Sequence, residues 1–239
     1  MSNLSVNTIT DASGGSTASI NGLTPQASNM QPFNRIINGA MTIDQRNAGA
    51  AVTPTDGQYT LDRYETRVSQ ANKLTIQQSS VAPAGFTKSL LVTSSSAYSI
   101  TASDYFAVCQ SIEGFNVADL GFGTASAQTV TLSFWVRSSF TGTFGGSITN
   151  SSNRFYPFTY SISASNTWEQ KSVTIVGDTT GTWVANNGKA LQLSFGLGCG
   201  STFNGTAGAW NGTSGYFSAT GATSVVGTSG ATFYITGVQ

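Results

Sequence analysis

The chain has 239 residues, 39% of them hydrophobic and 8% charged, with ten basic residues against ten acidic ones and no histidine. That length buries a core without disulfide staples, the balanced charge leaves no footprint for nucleic acid or an anionic membrane, and the missing imidazole removes Ser-His-Asp, Cys-His and most zinc chemistry. With so few charges the surface is kept wet by Ser, Thr, Asn, Gln and Gly, as in parts that stay within an assembly or meet the outside of one.

Residues 1–32 hold a single charged group, Asp11, and no aromatic residue. The run "LSVNTITDASGGSTASINGLTP" has short β-prone pieces broken by Gly14-Gly15 and ended by Pro25, which predicts an extended N-terminal arm that gains order by pairing with another chain. The stretch "MSNLSVNTITDASGG" carries neither the basic start nor the apolar block of a secretory signal, and no apolar run approaches a membrane span. Neither export nor membrane insertion is expected.

Residues 33–239 read as one β domain. Its entrance, "NRIINGAMTIDQRNAGAAVTPTDGQYTLDRY", gathers Asp44, Arg46, Asp56, Asp62 and Arg63 in an otherwise sparsely charged chain. A glycosidase would need two carboxyl groups roughly 5 to 10 Å apart across a cleft. Nothing in the pattern predicts a cleft that would perturb them, so Asp44, Arg46, Asp62 and Arg63 are expected to form structural Asp–Arg pairs that tie the first strand and its turn to the fold. No catalytic residue is assigned.

Further along, "KLTIQQ", "SLLVTS" and "DYFAVCQSI" read as strands, and "IEGFNVADLG" as the best candidate for a short helix. In "QTVTLSFWVRSS", Val130, Leu132, Phe134 and Val136 alternate with Thr131, Ser133, Trp135 and Arg137, the period of a half-buried strand in an antiparallel sheet. "FYPFTYSIS" and "EQKSVTIVG" follow, then "ALQLSFGLG", where Leu191, Leu193, Phe195 and Leu197 alternate with Gln192 and Ser194, and finally "ATFYITGV". Many short strands separated by Gly, Asn, Ser and Asp clusters predict an all-β jelly-roll sandwich. Cys109 and Cys199 lie in strand-like runs and read as buried thiols. No metal site and no cofactor is expected.

The polar side of the Trp135 strand is the candidate ligand site. An aromatic ring beside amide and guanidinium donors suits a sugar, whose C–H groups stack on the ring while its hydroxyls take directed hydrogen bonds. Trp135 and Arg137 share that face with Ser133. Gln192, Ser194 and Tyr234 join them if their strands keep apolar residues in the core. The competing reading is that loops, the first residues or another subunit cover the face. Trp168, Trp183, Trp210 and Tyr216 fall near turns and are further aromatic candidates. The Gly-, Ser- and Thr-rich stretch 198–230 lacks the following helix of a phosphate-binding loop and reads as long connections at one end of the sandwich, a usual place for recognition loops.

The order "DYFAVCQSIEG", "VTLSFWVRSS", "NTWEQKSVTI", "LQLSFGLG", "ATFYITGVQ" resembles the jelly-roll carbohydrate-binding modules attached to glycoside hydrolases, with Thr236 and Gly237 standing where that family commonly has an acidic pair. Over the whole chain, "LSVNTITDASGG", "ASINGLTP", "NRIINGAMTIDQRNAG", "YTLDRY" and "GATFYITGVQ" resemble a group of tailed-bacteriophage virion proteins described as tail-fibre or other structural proteins. This resemblance implies a non-enzymatic virion component assembled in the host cytoplasm, often a homotrimer. Residues 1–32 would face other virion proteins and the sandwich would face outward towards host-surface glycan. A head fibre or capsid decoration protein is the alternative. A tailspike-like glycan-degrading enzyme is disfavoured by the absent histidine and sparse carboxylates.

Overall fold

The computed structural model describes residues 34–212 and 215–239, and Arg35–Gln239 form one compact unit. The arm expected over residues 1–32 lies outside the described residues. Thirteen strands follow one another: β1 (Gln58–Leu61), β2 (Tyr64–Val68), β3 (Leu74–Ser79), β4 (Ser89–Ser94), β5 (Tyr105–Glu113), β6 (Val130–Ser138), β7 (Gly142–Thr149), β8 (Phe155–Ile162), β9 (Glu169–Ile175), β10 (Lys189–Cys199), β11 (Asn204–Gly205), β12 (Ser218–Ala219) and β13 (Thr232–Thr236). The predicted helix is two single 3-10 turns, Gly114–Asn116 and Ala118–Leu120, the second ended by Gly121 in the left-handed region.

The strands build a jelly-roll sandwich of a six-stranded sheet, ordered β1-β2-β5-β10-β7-β8, and a five-stranded sheet, ordered β3-β4-β13-β6-β9. Pairing within both is antiparallel, and among the described residues only β11 and β12 pair in parallel. Alternation puts Leu132, Phe134 and Val136 of β6 and Phe233 and Ile235 of β13 inward against Leu191, Leu193, Phe195 and Leu197 of β10. Rings couple the two layers: Phe134 meets Phe195 edge-on at 5.0 Å, and Phe144 lies stacked against Phe233 at 6.0 Å. Such pairs add about 0.5–1.5 kcal/mol beyond the area they bury.

The entrance segment closes one end of this core. Ile37 N–H donates to Gln110 Oε1 at 2.8 Å and Gln110 Nε2 donates back to the Ile37 carbonyl at 2.9 Å. On the other sheet's side, Val238 N–H reaches the Gly39 carbonyl at 3.1 Å, and Met41 is fully buried. A side chain at Gly39 would run into the Val238 carbonyl.

The Asp–Arg pairs expected here do not form. Asp44 accepts the backbone N–H groups of Asn47 and Gly49, and Asp62 accepts that of Gln45. Arg63 reaches Glu113 at 2.8 Å, while the Arg46 guanidinium lies over the Tyr59 ring. For Asp44 the reason is proximity: a carboxylate at the head of a turn finds unpaired amides three and five residues on, whereas Asp62 is taken by an amide of that same turn, seventeen residues back along the chain.

Candidate functional site

The two sheets present different outer faces. On the six-stranded sheet, β10 is buried along both sides: Gln192 and Ser194 are as enclosed as the core leucines. The segment after β10 folds back as a roof. Ser147 Oγ donates to the Tyr216 carbonyl at 2.5 Å, and Cβ atoms added to Gly145 or Gly196 would both fall within 2.5 Å of Ser218 Oγ. Cys109 is buried beneath it, 3.2 Å from Ser194 Oγ, and burial pushes its thiol up to about 11.

On the five-stranded sheet, β6 lies between β13 and β9, with Tyr234 opposite Arg137, Thr236 opposite Trp135 and Gln170 also opposite Trp135. Its outward row is half-buried to exposed: Ser133, Trp135 and Arg137 on β6, Tyr234 on β13, Gln170 and Ser172 on β9, Leu91 on β4 and Gln77 on β3. Two aromatic groups stand on it. The Arg137 guanidinium carbon sits 4.9 Å from the Tyr234 ring centroid, and Trp168 meets the Tyr234 ring edge-on at 6.0 Å. Arg137 Nε donates to the Asn166 carbonyl at 2.9 Å, so the turn before β9 fixes the guanidinium over the ring. A short way along, Gly237 lets Phe86 approach Trp135: a Cβ there would lie 2.6 Å from Phe86 Cζ and 3.2 Å from Trp135 Cδ1. At φ +62° the position also favours glycine on backbone grounds.

Trp135, Arg137 and Tyr234 therefore share one face, as alternation predicts. Gln192 and Ser194 do not join them; they belong to the other sheet and lie under its roof. Alternation reports which residues of a strand share a side, but not which sheet the strand enters. Trp183 and Trp210 are elsewhere too, packed at 5.5 Å with Phe122 and Tyr156 at the end of the sandwich. Their indole N–H groups are committed to the Thr180 and Val176 carbonyls. Tyr216 packs against Phe155 in the roof. Sequence reading missed Phe86, which comes from a turn with no periodic signal.

The carboxylates are engaged throughout the described residues. Asp56, Glu113, Asp119, Glu169 and Asp178 pair with Arg67, Arg63, Arg35, Lys171 and Arg154; Glu65 lies 3.7 Å from Arg67. Burial pushes the Asp178 carboxyl up, but the Arg154 fork and the Thr180 donors outweigh it and hold the group below the usual range. Asp104 has no cation. It accepts from Ser69 Oγ, Tyr98 Oη, and both Thr101 N and Oγ1 at 2.7–3.0 Å, which against the effect of burial brings it down to about 2. Among the described residues no group of three or more Cys, Asp or Glu side chains could hold a metal ion, and no helix is long and apolar enough to cross a membrane.

No family model matches the chain, and no curated protein sequence matches it. Among solved structures it is similar to the enzymatically active domain of tailspike protein 4 of bacteriophage CBA120, at 13% identity and TM-score 0.45, over 86% of this chain and 21% of that one. It is similar to a candidate sugar-binding protein from Bacteroides thetaiotaomicron, at 13% identity and TM-score 0.47, over 87% and 98% of the two chains. A xylan-binding domain from Paenibacillus barcinonensis gives 10% identity and TM-score 0.39, over 81% and 94%. The chain thus spans about a fifth of the tailspike and nearly all of the other two.

Proposed function

We propose that this chain is a non-enzymatic virion component of the tail-fibre type whose sandwich binds a host-surface glycan on the outer face of the five-stranded sheet. The observation that carries the reading is the pair of aromatic groups there, Trp168–Tyr234–Arg137 and Phe86–Trp135, set among Ser133, Gln170 and Gln77 on a face that the domain's own loops leave half open. Rings supply stacking area and the amides and hydroxyls supply directed hydrogen bonds. A shallow site of this kind holds a sugar weakly, so useful attachment needs several heads acting together. That need fits a homotrimer joined to other virion proteins through residues 1–32.

The absence of catalysis in this reading is supported by the carboxylates. Each one whose pKa is displaced is displaced downward by donors or a cation, the opposite of what a general acid requires.

The test is a glycan array probed with the full chain, beside adsorption to host cells. Trp135→Ala and Tyr234→Ala should each abolish array binding while the fold still melts cooperatively. An array with no bound sugar, or variants that bind as wild type does, would sink the reading. Release of reducing sugar by the wild type would sink its non-enzymatic part. An image of the intact particle places the subunit on tail or head.

A further inference from the structure

Charge on the proposed sugar face is one-sided. Across the five strands of this sheet the only acidic residue is Glu169 and the basic ones are Arg137 and Lys171. Glu169 and Lys171 pair with each other at 2.6 Å, and the remaining carboxylate capacity of Glu169 is taken by the Ser163 and Ala164 N–H groups. In the alternation of β9 both point away from the row that holds Gln170 and Ser172. Arg137 is left as the charge of the outward row. Its recorded partners are neutral: the Asn166 carbonyl on Nε and the face of Tyr234.

Arg35, Arg63, Arg67 and Arg154 are each matched with a carboxylate, while Arg46, at the entrance, lies over the Tyr59 ring. Arg137 instead is held by one nitrogen and a ring, which orients a planar fork without neutralising it. Such a fork is complementary to an anion with two oxygens in one plane.

Resting on the proposed sugar reading, we infer that the ligand of this face is an anionic glycan, one carrying a carboxylate or a sulfate beside the ring that stacks on Trp135 or Trp168, and that Arg137 selects it. The hydroxyls of a neutral sugar accept from the arginine but leave its charge unmatched, so the discrimination comes from charge, with the aromatic rings supplying area.

The experiment uses the full chain at about 0.1 M salt, where screening acts over about 10 Å and a contact pair survives. An array carries uronate- and sialate-containing oligosaccharides beside their methyl esters, and sulfated oligosaccharides beside the desulfated ones; the two pairs separate the two sources of the anion. Wild type should lose at least about tenfold in affinity when the carboxylate is esterified or the sulfate removed. Arg137→Gln should lower the ratio of anionic to neutral affinity by that same factor, and Arg137→Lys should lower it by less, because a single ammonium cannot make the planar two-point contact. Equal binding of anionic and neutral members of both pairs overturns the inference, as does an Arg137→Gln variant that weakens both members equally. If neutral glycans bind best and do so through Trp135, the sugar reading stands and this inference falls. If no glycan binds, the sugar reading fails and takes this inference with it.

Discussion

The two outer faces of the sandwich began as the same kind of surface, the polar side of an alternating strand, and ended differently. On the six-stranded sheet the outward positions of β7 and β10 shrink to Gly145, Ser147, Ser194 and Gly196, and the segment after β10 lies directly on them, with Ser218 over both glycines. On the five-stranded sheet the outward positions of β6 and β13 are Trp135, Arg137 and Tyr234, too large for a backbone to pack over and only half-buried. Side-chain size decides which face the chain can cover for itself. The anchoring charges lie off both faces: Arg154–Asp178 joins the start of β8 to the segment after β9, and Asp104, whose carbonyl accepts the Gly200 N–H, holds the start of the roof segment. The open face has one charge and spends it on neutral partners.

The hardest blow to the frame that carries both faces is to cut the ion pair between the start of β8 and the segment after β9. Arg154 holds Asp178 through Nε and Nη2 at 2.6 and 2.8 Å, and the Asp178 side chain is 2% exposed. Arg154→Met strands that carboxylate among two remaining Thr180 donors. The expected loss is about 3–5 kcal/mol, read as a denaturant midpoint, with Asp178→Asn in the same background recovering part of it. Full stability in Arg154→Met would mean that water or another donor already serves Asp178.

A smaller wedge tests the roof itself. Gly196→Val places a branched side chain against Ser218 and the Gly145 carbonyl, with an expected cost of about 3 kcal/mol from overpacking. Ser133→Val on the open face should stay within about 0.5 kcal/mol. Equal costs at the two positions would show that the open face is covered as well.

These positions also mark what was legible in the sequence. The jelly-roll class was, because β3, β4, β5, β6, β8, β9 and β13 each carry a clear strand pattern near their true bounds. β7 was not, since "GTFGGSIT" spends three of its residues on glycines that weaken strand propensity, of which Gly146 admits Phe158 on one side and Gly145 the roof on the other. The glycines of "ALQLSFGLG" carried the same message about β10: a strand whose outward residues are Ser and Gly is one that something packs against. Read by alternation alone, it looked like a second Trp135 strand, and Gln192 was placed on the wrong sheet. The long Gly-, Ser- and Thr-rich stretch looked like exposed loops because a roof over small residues needs little apolar content of its own. The entrance aspartates were visible as structural but not their partners, which are backbone amides and so leave no trace in the pattern. At the candidate site, Trp135, Arg137 and Tyr234 fall together from strand parity, whereas Phe86 and Trp168 arrive from turns and require the fold.

On the open face, truncating Trp135 separates packing from binding. A fully buried tryptophan costs about 3–5 kcal/mol when cut to alanine; Trp135 is half-buried against Phe86 and Gly237, so Trp135→Ala should cost about 2 kcal/mol in a thermal or urea melt. A loss at the full buried value would move Trp135 to the covered class and remove the platform from the proposed site.

The smallest effect near neutral pH comes from Asp104, and it appears only in acid. Burial raises its carboxyl, but Thr101, Ser69 and Tyr98 donate to it strongly enough to bring it from the ordinary 3.8 down to about 2 in the folded chain. The folded state therefore holds its proton less tightly than the unfolded state does. Stability from this group is fully present above about pH 4, where both states are ionised, and is lost as the pH falls from about 4 through about 2. The other lowered carboxyls, Asp178 among them, add to the same limb. Asp104→Asn should leave a shallower dependence of Tm on pH between about 4 and 2, and it should not change the slope between pH 7 and 5. If the limb keeps its wild-type slope in Asp104→Asn, the donors around Asp104 are not coupled to folding, and the hold on the start of the roof segment reduces to its backbone hydrogen bonds.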